Sequence, residues 1–335
     1  MRALANLFLG LLGGAALLGG VLLHVGVEQG RTNFQAQALE AVTPIVAARS
    51  LKTYTLLFVG DIMLTRGVEY ITDKQGDLFY PFRFVADEIR KADFAFANLE
   101  GPISNRGSDQ GSMYSFRMRP GTAGTLALAG FDALSTANNH MWDWGRDALE
   151  DTIELLTINN IQAVGAGMNY ADANEPKYVS VHDIRVGLLG YTNLMPRSLE
   201  ATATKSGLSS FEPEIIAQKI ADAKKQADLV VISLHWGEEY EKNANAHQRE
   251  FAHKFIDAGA DLVIGHHPHV VQEVESYKDG FIAYSLGNFI FDQSFSKETM
   301  EGLMLKVTLK DKKIESVKNI PLKISETFQP EIISI

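Results

Sequence analysis

The chain has 335 residues, a formal net charge of -10 and no cysteine. Its length and its 46% of hydrophobic residues allow one large globular domain or two ordinary ones. The negative charge argues against broad nucleic-acid binding, and the lack of cysteine excludes disulfides, thiolate metal sites and cysteine nucleophiles. An acidic substrate must therefore be held locally, by metal ions or a few arginines.

The first segment of the chain, residues 3–27, is apolar apart from Asn6 and His24. It is long enough to span a bilayer, which takes about 20 residues, and its glycines fit packing in a membrane. We predict a signal anchor or transmembrane helix over residues 1–27 and a linker over residues 28–52. The protein is then a single-pass membrane protein with an extracytoplasmic folded domain. A cleaved secretory signal is the alternative, and it also exports the remainder.

A folded domain is predicted over residues 53–325, with a C-terminal tail over 326–335. Within the domain, short apolar runs alternate with helix-like stretches. The predicted strands are Thr55–Val59, Phe94–Ala97, Phe131–Ser135, Val186–Tyr191, Leu229–Ser233, Leu262–Ile264 and Phe281–Tyr284. The predicted helices lie around Phe84–Lys91, Thr122–Ala129, Pro213–Gln226 and Gln248–Ala258. This alternation predicts an α/β sheet that helices cover on both faces.

The end of the chain has a different pattern. Two apolar runs, Leu303–Leu309 and Ile314–Ile320, flank the charged segment Lys310–Lys313. Two such runs joined by a short polar turn are typical of a β-hairpin. We therefore expect an antiparallel hairpin near the C-terminus.

Polar side chains follow the predicted strands at the points where the strands end. In α/β sheets, sites form beyond the carboxyl ends of strands, so these side chains should converge. Their carboxylate and amide oxygens and imidazole nitrogens suit Mn, Fe or Zn rather than Ca. The predicted metal ligands are Asp61, Glu100, Asn139, His235, His267 and His269.

Each of these residues has a structural alternative when it is taken alone. Asp61 could cap a helix, Asn139 could belong to a turn, and His235 could be a hydrogen-bonded core histidine. Their joint placement at the ends of strands favours the metal site. His247 and His253, six positions apart on a predicted helix, do not share a face and are assigned to structure.

Six motifs along the chain carry a family resemblance. They are Gly60–Leu64, Asn98–Pro102, Ala137–His140, Leu234–Gly237, Gly265–Val270 and Tyr284–Phe289. Their order resembles the calcineurin-like metallophosphoesterase pattern and, more closely, the CapA family of bacterial poly-γ-glutamate capsule synthesis proteins. The resemblance implies a metallophosphoesterase-like sandwich of β-sheets flanked by helices. It also implies a metal-dependent site on an exported, often membrane-anchored protein of capsule or envelope polymer assembly.

The resemblance also suggests roles for particular residues. A divalent transition metal, as one ion or two, would activate water, and Glu100 is the candidate bridge between two ions. His140 matches the histidine that protonates the leaving group, so we assign it as the general acid. The pattern departs at Met63, where metallophosphoesterases usually carry a histidine. Water, Asn98 or His266 could replace that ligand, or the site could bind a single ion.

Further residues are candidates for contacts around the metal. Arg117, in a Phe-Arg-x-x-Pro pattern that the family shares, is predicted to bind substrate, as are Asn98 and Trp236. A solvated loop is the alternative for Arg117, and ordinary packing is the alternative for Trp236. His266 and Asn288 are predicted to orient metal ligands.

We expect a membrane-anchored metallophosphoesterase-like protein that acts in poly-γ-glutamate-type capsule synthesis or export. It could act there as a metal-dependent hydrolase. Its substrate would be an anionic polymer such as poly-γ-glutamate, or a phosphoester, and membrane-bound polymer synthesis or export subunits are candidate partners. No nucleic-acid partner is expected. The alternatives are a general metal-dependent phosphodiesterase or nucleotidase, and a non-catalytic subunit that binds polymer during assembly.

Overall fold

The computed structural model describes residues 52–333. The predicted anchor over residues 1–27, and the predicted linker up to residue 51, lie outside the described residues. No helix within the described range is both long enough and apolar enough to cross a bilayer. The first strand begins at Thr53.

Strands and helices alternate along most of the described chain. The strands are β1 (Thr53–Ile62), β2 (Phe94–Leu99), β3 (Ala133–Ser135), β4 (Gln162–Val164), β5 (Ala166–Gly167), β6 (Lys177–Val181), β7 (Ile184–Thr192), β8 (Gly207–Leu208), β9 (Leu229–His235), β10 (Leu262–His266), β11 (Val274–Tyr277), β12 (Gly280–Ala283), β13 (Asn288–Ile290), β14 (Glu301–Lys310), β15 (Lys313–Ile324) and β16 (Pro330–Ile332). The α-helices are α1 (Arg66–Gln75), α2 (Ala86–Lys91), α3 (Gly121–Ala129), α4 (Gly145–Ile158), α5 (Tyr170–Asn174), α6 (Pro213–Lys224) and α7 (Ala246–Asp257). Short 3₁₀ helices lie at Tyr80–Phe82, Arg197–Leu199 and Glu298–Met300.

The first sheet has eight strands in the order β16-β15-β14-β1-β2-β3-β4, with β13 also paired to β1. Strands β1 to β4 and β13 run parallel, whereas β14, β15 and β16 are antiparallel to their neighbours. The pair β14 and β15 is the predicted hairpin. Strand β16 pairs with β15, so the sheet extends past residue 325, the predicted end of the domain.

The second sheet has six strands in the order β11-β12-β10-β9-β7-β6. Its four central strands are parallel, and β11 and β6 are antiparallel edge strands. The alternation of strands and helices predicted helices on both faces of the sheet, whereas each sheet has helices on one face and the other sheet on the opposite face. Strands that are apolar on both faces can be covered by helices on either side or by a second sheet on one side, and the apolar pattern is the same in both cases.

The two sheets pack face to face. Phe58 of β1 and Ile264 of β10 lie in the core between the sheets. Their neighbours Leu57 and Val263 lie in the outer cores, which helices cover, because successive side chains of a strand point to opposite faces. Helices α1 to α4 cover the first sheet, and α6 and α7 cover the second. The sandwich of two sheets flanked by helices is confirmed.

The carboxyl ends of the parallel strands place the candidate site. Asp61 of β1 is level with Asn98 of β2 and with Asn288 of β13. Just before Asp61 the backbones of β1 and the turn into β13 approach closely. A Cβ on Gly60 would lie 1.9 Å from the carbonyl oxygen of Gly287, to which the Asp61 N–H donates over 3.0 Å. Only glycine allows this approach.

We expect Gly60→Ala to lower the free energy of unfolding by at least about 2 kcal/mol, because the new methyl group must push the backbone of Gly287 away. The matched control is Gly124→Ala in α3, where the added Cβ meets no atom closer than 3.5 Å. There alanine should stabilise the helix by up to about 1 kcal/mol. Urea denaturation of both variants measures the difference, and equal midpoints would contradict this account of Gly60.

Candidate metal centre

Two groups of potential metal ligands meet at the carboxyl edge of the sandwich. In each group the ligand atoms lie within 4.8 Å of one another. One group is Asp61, Glu100 and His269, all buried, and the other is Glu239, His267 and His269. His269 belongs to both groups, so the residues present could hold two neighbouring ions.

The first group contains two fully buried carboxylates. Nε2 of His269 lies 3.4 Å from Oε1 of Glu100, and its Nδ1 lies 3.4 Å from Oδ2 of Asp61. Within the described residues, Oε1 of Glu100 is buried and has no hydrogen-bond partner. A buried carboxylate oxygen without a partner is costly, and a cation would satisfy it. The donor set therefore fits a divalent transition metal.

Histidines of the second sheet complete the surroundings. Both ring nitrogens of His266 and Nδ1 of His267 are buried and lack hydrogen-bond partners among residues 52–333. Nδ1 of His266 lies 3.3 Å from Oδ1 of Asp61. His267 and His269 have φ angles of 98° and 58°, in the left-handed region that residues with side chains rarely adopt. Backbone strain of this kind is concentrated at binding sites.

His235 and Asn139 lie together beside the two carboxylates. Nε2 of His235 is 2.8 Å from Oδ1 of Asn139, and its Nδ1 is 3.3 Å from Nδ2 of Asn98. The rings of His235 and His267 are 4.9 Å apart. The structure thus brings all six predicted ligands into one region, although Asn139 and His235 lie outside the two tight groups.

Asn98 has a different role from the one predicted. Its Nδ2 donates to Oδ1 of Asp61 over 2.9 Å and to Oε2 of Glu100 over 3.2 Å, and its Oδ1 accepts from Asn138. The side chain is completely buried. Asn98 therefore positions the two carboxylates and offers no free group to a substrate.

Asn288 lies where it can orient a ligand. Its Oδ1 is 3.0 Å from Nδ1 of His269, and its Nδ2 donates to the carbonyl oxygen of Thr299 over 3.0 Å. The second bond holds the amide in place, so Asn288 favours the orientation in which Nε2 of His269 points at Glu100. That Asn288 orients a metal ligand stays a prediction.

His140, the predicted general acid, lies beside the first group. Its Nε2 is 3.9 Å from Oε1 of Glu100, and its Nδ1 is 2.8 Å from Oδ2 of Asp143. Asp143 is buried and accepts hydrogen bonds from the N–H of Phe116 and from the hydroxyl of Ser112. A carboxylate fixed in this way holds the imidazole with Nε2 towards the centre.

Asp143 and Glu239 are site residues that the sequence interpretation did not identify. Asp143 follows His140 by three positions, a spacing that brings side chains together in a helical turn and could have suggested the pair. Glu239 is exposed and reaches the centre because its loop is tied to the histidine motif. The N–H of Tyr240 donates to the carbonyl oxygen of Pro268 over 2.8 Å.

Three further residues considered in the sequence belong to neither ligand group. Met63 is completely buried in the core under the helices, where it accepts the N–H of Thr65. Trp236 is only 1% exposed, lies in the core behind the second sheet and donates to Tyr284, so its predicted contact with substrate is at odds with its burial. The guanidinium carbon of Arg117 stacks 3.4 Å from the ring centre of Trp144.

The electrostatics of the centre favour a bound cation. Burial, together with repulsion from Asp61, raises the pKa of Glu100 well above its usual value, despite the opposing charge of His269. Burial alone would lower the pKa of His269, but the charge of Glu100 and the contact with Asp61 raise it to about 9. The two buried carboxylates therefore favour positive charge at this point, which a metal ion also supplies.

The imidazoles of His235 and His267 are in the state that binds metal. Burial lowers the pKa of His267 to about 3, helped by the charge of His269. Burial likewise holds the pKa of His235 well below its usual value, with a further contribution from His267. Both rings are neutral at physiological pH, and neutral imidazole is the form that coordinates metals.

Comparison with known proteins identifies relatives of the whole folded domain. Residues 55–293 match the family model of the bacterial capsule synthesis protein PGA_cap. The capsule biosynthesis protein CapA of Bacillus anthracis is 36% identical over 300 residues, which covers 87% of this chain and 72% of the relative. The PGA biosynthesis protein CapA of Bacillus subtilis (strain 168) is 33% identical over 290 residues, with 86% and 76% covered.

A solved structure shares the fold. A hypothetical protein from Thermus thermophilus aligns with a TM-score of 0.52 at 15% sequence identity. The alignment covers 80% of this chain and 99% of that protein. At this level of identity the likeness concerns the fold alone.

We expect His269→Ala to abolish binding of divalent transition metal, because His269 belongs to both ligand groups. Glu239→Gln should remove at most one of two ions, since Glu239 belongs to one group only. The control is His247→Ala, whose exposed imidazole lies 3.9 Å from Glu250 and is part of neither group. Plasma mass spectrometry of the full-length chain after exposure to Mn or Zn measures the content. Unchanged metal in His269→Ala would refute this assignment.

Proposed function

Because this chain belongs to the family of the bacterial capsule synthesis protein PGA_cap, we propose that it is a metal-dependent hydrolase acting in synthesis or export of a poly-γ-glutamate-type capsule polymer. The observation that carries the catalytic part is the partnerless buried Oε1 of Glu100, which lies between His269 and His140. This arrangement places a cation site and a proton donor next to the same carboxylate oxygen. The order of the motifs, which resembles that of metallophosphoesterases, supports the same chemistry.

Several residues of the chain have distinct roles in the proposed reaction. A divalent transition metal, when bound, polarises the substrate and lowers the pKa of water. His140 holds a proton at Nε2, which faces the centre, and donates it to the leaving group. Asp143, 2.8 Å from Nδ1 of His140, holds the ring so that Nε2 faces the centre. Asn98 holds Asp61 and Glu100 at fixed positions through its amide group.

The substrate that we propose is an anionic chain of glutamate residues joined through their γ-carboxyl groups. The relatives are named for capsule and PGA biosynthesis, which supports a polymer of this kind. The net charge of -10 would repel such a polymer at long range, so binding must depend on local cations at the site. The cleaved bond is then an amide, and cleavage sets the length or the release of the chain.

We also propose that the protein is anchored in the bacterial cell membrane with its folded domain outside the cytoplasm. The support is the apolar sequence of residues 3–27, which lies outside the described residues and has the length that a spanning helix needs. An anchored hydrolase would act on the polymer where it leaves membrane-bound synthesis or export subunits.

We expect His140→Asn to lower kcat for cleavage of poly-γ-glutamate by about 10²- to 10⁴-fold, because the proton donor is lost, while metal content stays unchanged. Asp143→Asn should lower kcat with little effect on KM. The matched control is His182→Asn. His182 is another histidine paired with an aspartate, at 2.8 Å from Asp93, and it belongs to neither ligand group. Release of free amino groups measures cleavage.

Three outcomes would contradict the proposal. Full activity in His140→Asn would remove this residue from the reaction. A metal-loaded wild-type chain that binds poly-γ-glutamate but cleaves neither it nor a p-nitrophenyl phosphodiester would indicate a non-catalytic assembly subunit. Cleavage of the phosphodiester alone would indicate a general phosphodiesterase.

A further inference from the structure

Arg66 is a cationic residue close to the centre that the mechanism above does not use. It begins α1, directly after the loop that follows Asp61. Its φ angle is 54°, so the backbone is in the left-handed region, which is uncommon for arginine. Strain of this kind persists where the surrounding structure imposes it, and such positions cluster at sites of binding.

Two phenylalanine rings connect Arg66 to the centre. Its guanidinium carbon lies 5.4 Å from the ring centre of Phe116. The ring of Phe116 is 4.1 Å from that of His140 and 5.7 Å from that of Phe291, which in turn is 4.7 Å from His269. Arg66 is therefore one aromatic ring away from the proton donor and two rings away from the ligand shared by both groups.

Asp292 forms an ion pair with the guanidinium, and its Oδ1 accepts no hydrogen bond among the described residues. Nη2 of Arg66 is 3.0 Å from Oδ1 of Asp292, and Oδ2 of Asp292 accepts the N–H of Gly67 over 2.9 Å. The side chain of Asp292 is 8% exposed, whereas that of Arg66 is 38% exposed. A guanidinium has five N–H donors, so several remain open to solvent on the exposed side.

We propose that Arg66 binds a carboxylate of the substrate chain beside the bond that is cleaved. This inference rests on the proposed function. In a γ-linked glutamate chain every residue keeps its α-carboxylate, and that group lies next to the amide nitrogen of the backbone. A guanidinium one ring away from His140 can hold this carboxylate while the amide faces the centre, and its planar fork of donors matches a carboxylate.

Arg83 provides a matched control for this role. It is also paired with an aspartate, Asp77, at 2.7 Å, and its guanidinium carbon lies 5.0 Å from the ring centre of Tyr80. Its side chain is 48% exposed, similar to that of Arg66. The contacts of the Arg83 side chain within residues 52–333 are with Asp77 and Tyr80, neither of which belongs to the candidate metal centre. Arg83 is hydrogen-bonded to its aspartate and Arg66 is not, so the control shows the effect of removing an exposed, aspartate-paired arginine that does not contact the centre.

The test is binding of a γ-linked glutamate oligomer to the full-length, Mn-loaded chain, measured by calorimetry in a His140→Asn background so that the oligomer is not consumed. We expect Arg66→Met to weaken binding by about 10- to 100-fold, the effect of losing a charge-assisted hydrogen bond. Arg66→Lys should restore part of the affinity, and Arg83→Met should change it less than about twofold. The same oligomer with its α-carboxylates converted to amides should bind equally to all variants.

The other outcomes would contradict the role of Arg66, the kind of group that it binds, or the proposed function. Equal affinity of Arg66→Met and its parent for the glutamate oligomer, or an equal loss for the amidated oligomer, would leave Arg66 with a structural role only. If Arg66→Met weakens the binding of inorganic phosphate but not that of the glutamate oligomer, the group that Arg66 binds is a phosphoryl group and not a carboxylate. Failure of the parent chain to bind the oligomer at all would overturn the proposed function itself. Metal content and melting temperature, measured in parallel, identify variants that are misfolded.

Discussion

The site depends on the burial of two carboxylates at the edge where the two sheets meet. Asp61 and Glu100 are completely removed from solvent, and buried charges are stable only when they are paired or hydrogen-bonded. The chain supplies the amide of Asn98 and the ring of His269, but Oε1 of Glu100 keeps no hydrogen-bond partner among the described residues. A bound cation would complete this arrangement. The imidazoles of His235 and His267 are neutral at physiological pH and could coordinate it.

The two sheets contribute different ligand chemistry. The buried carboxylates Asp61 and Glu100 come from strand ends of the first sheet, and His267, His269 and the exposed Glu239 follow strands of the second. The distance between them is therefore set by the core between the sheets, where Phe58 and Ile264 are completely buried. Close-packed interiors transmit small displacements, so the apolar core and the close approach at Gly60 position the centre together.

The sequence was informative where chemistry and strand ends coincide, and less so where tertiary packing decides. Each predicted ligand lies at the carboxyl edge, because apolar runs ended by polar residues mark strand ends directly. The alternation of strands and helices did not distinguish one sheet from two, because the strands of the second sheet have the same apolar pattern as those of the first. The two sheets were expected from the family resemblance alone. Helices α1, α4 and α5 were not predicted from the sequence. Glu239 was not recognised as a ligand because a loop contact, between Tyr240 and Pro268, brings it to the site.

Two aspartates in loops, Asp143 and Asp292, make similar contacts beside the metal centre. Asp143 accepts the N–H of Phe116 and lies 2.8 Å from Nδ1 of His140, and Asp292 accepts the N–H of Gly67 and forms an ion pair with Arg66. In both cases an aspartate bound to a backbone N–H is paired with a basic side chain that contacts the ring of Phe116. Both aspartates lie in loops, which tolerate change more readily than strands. Changes at these two pairs would alter contacts with substrate and leave the two ligand groups, to which neither aspartate belongs, in place.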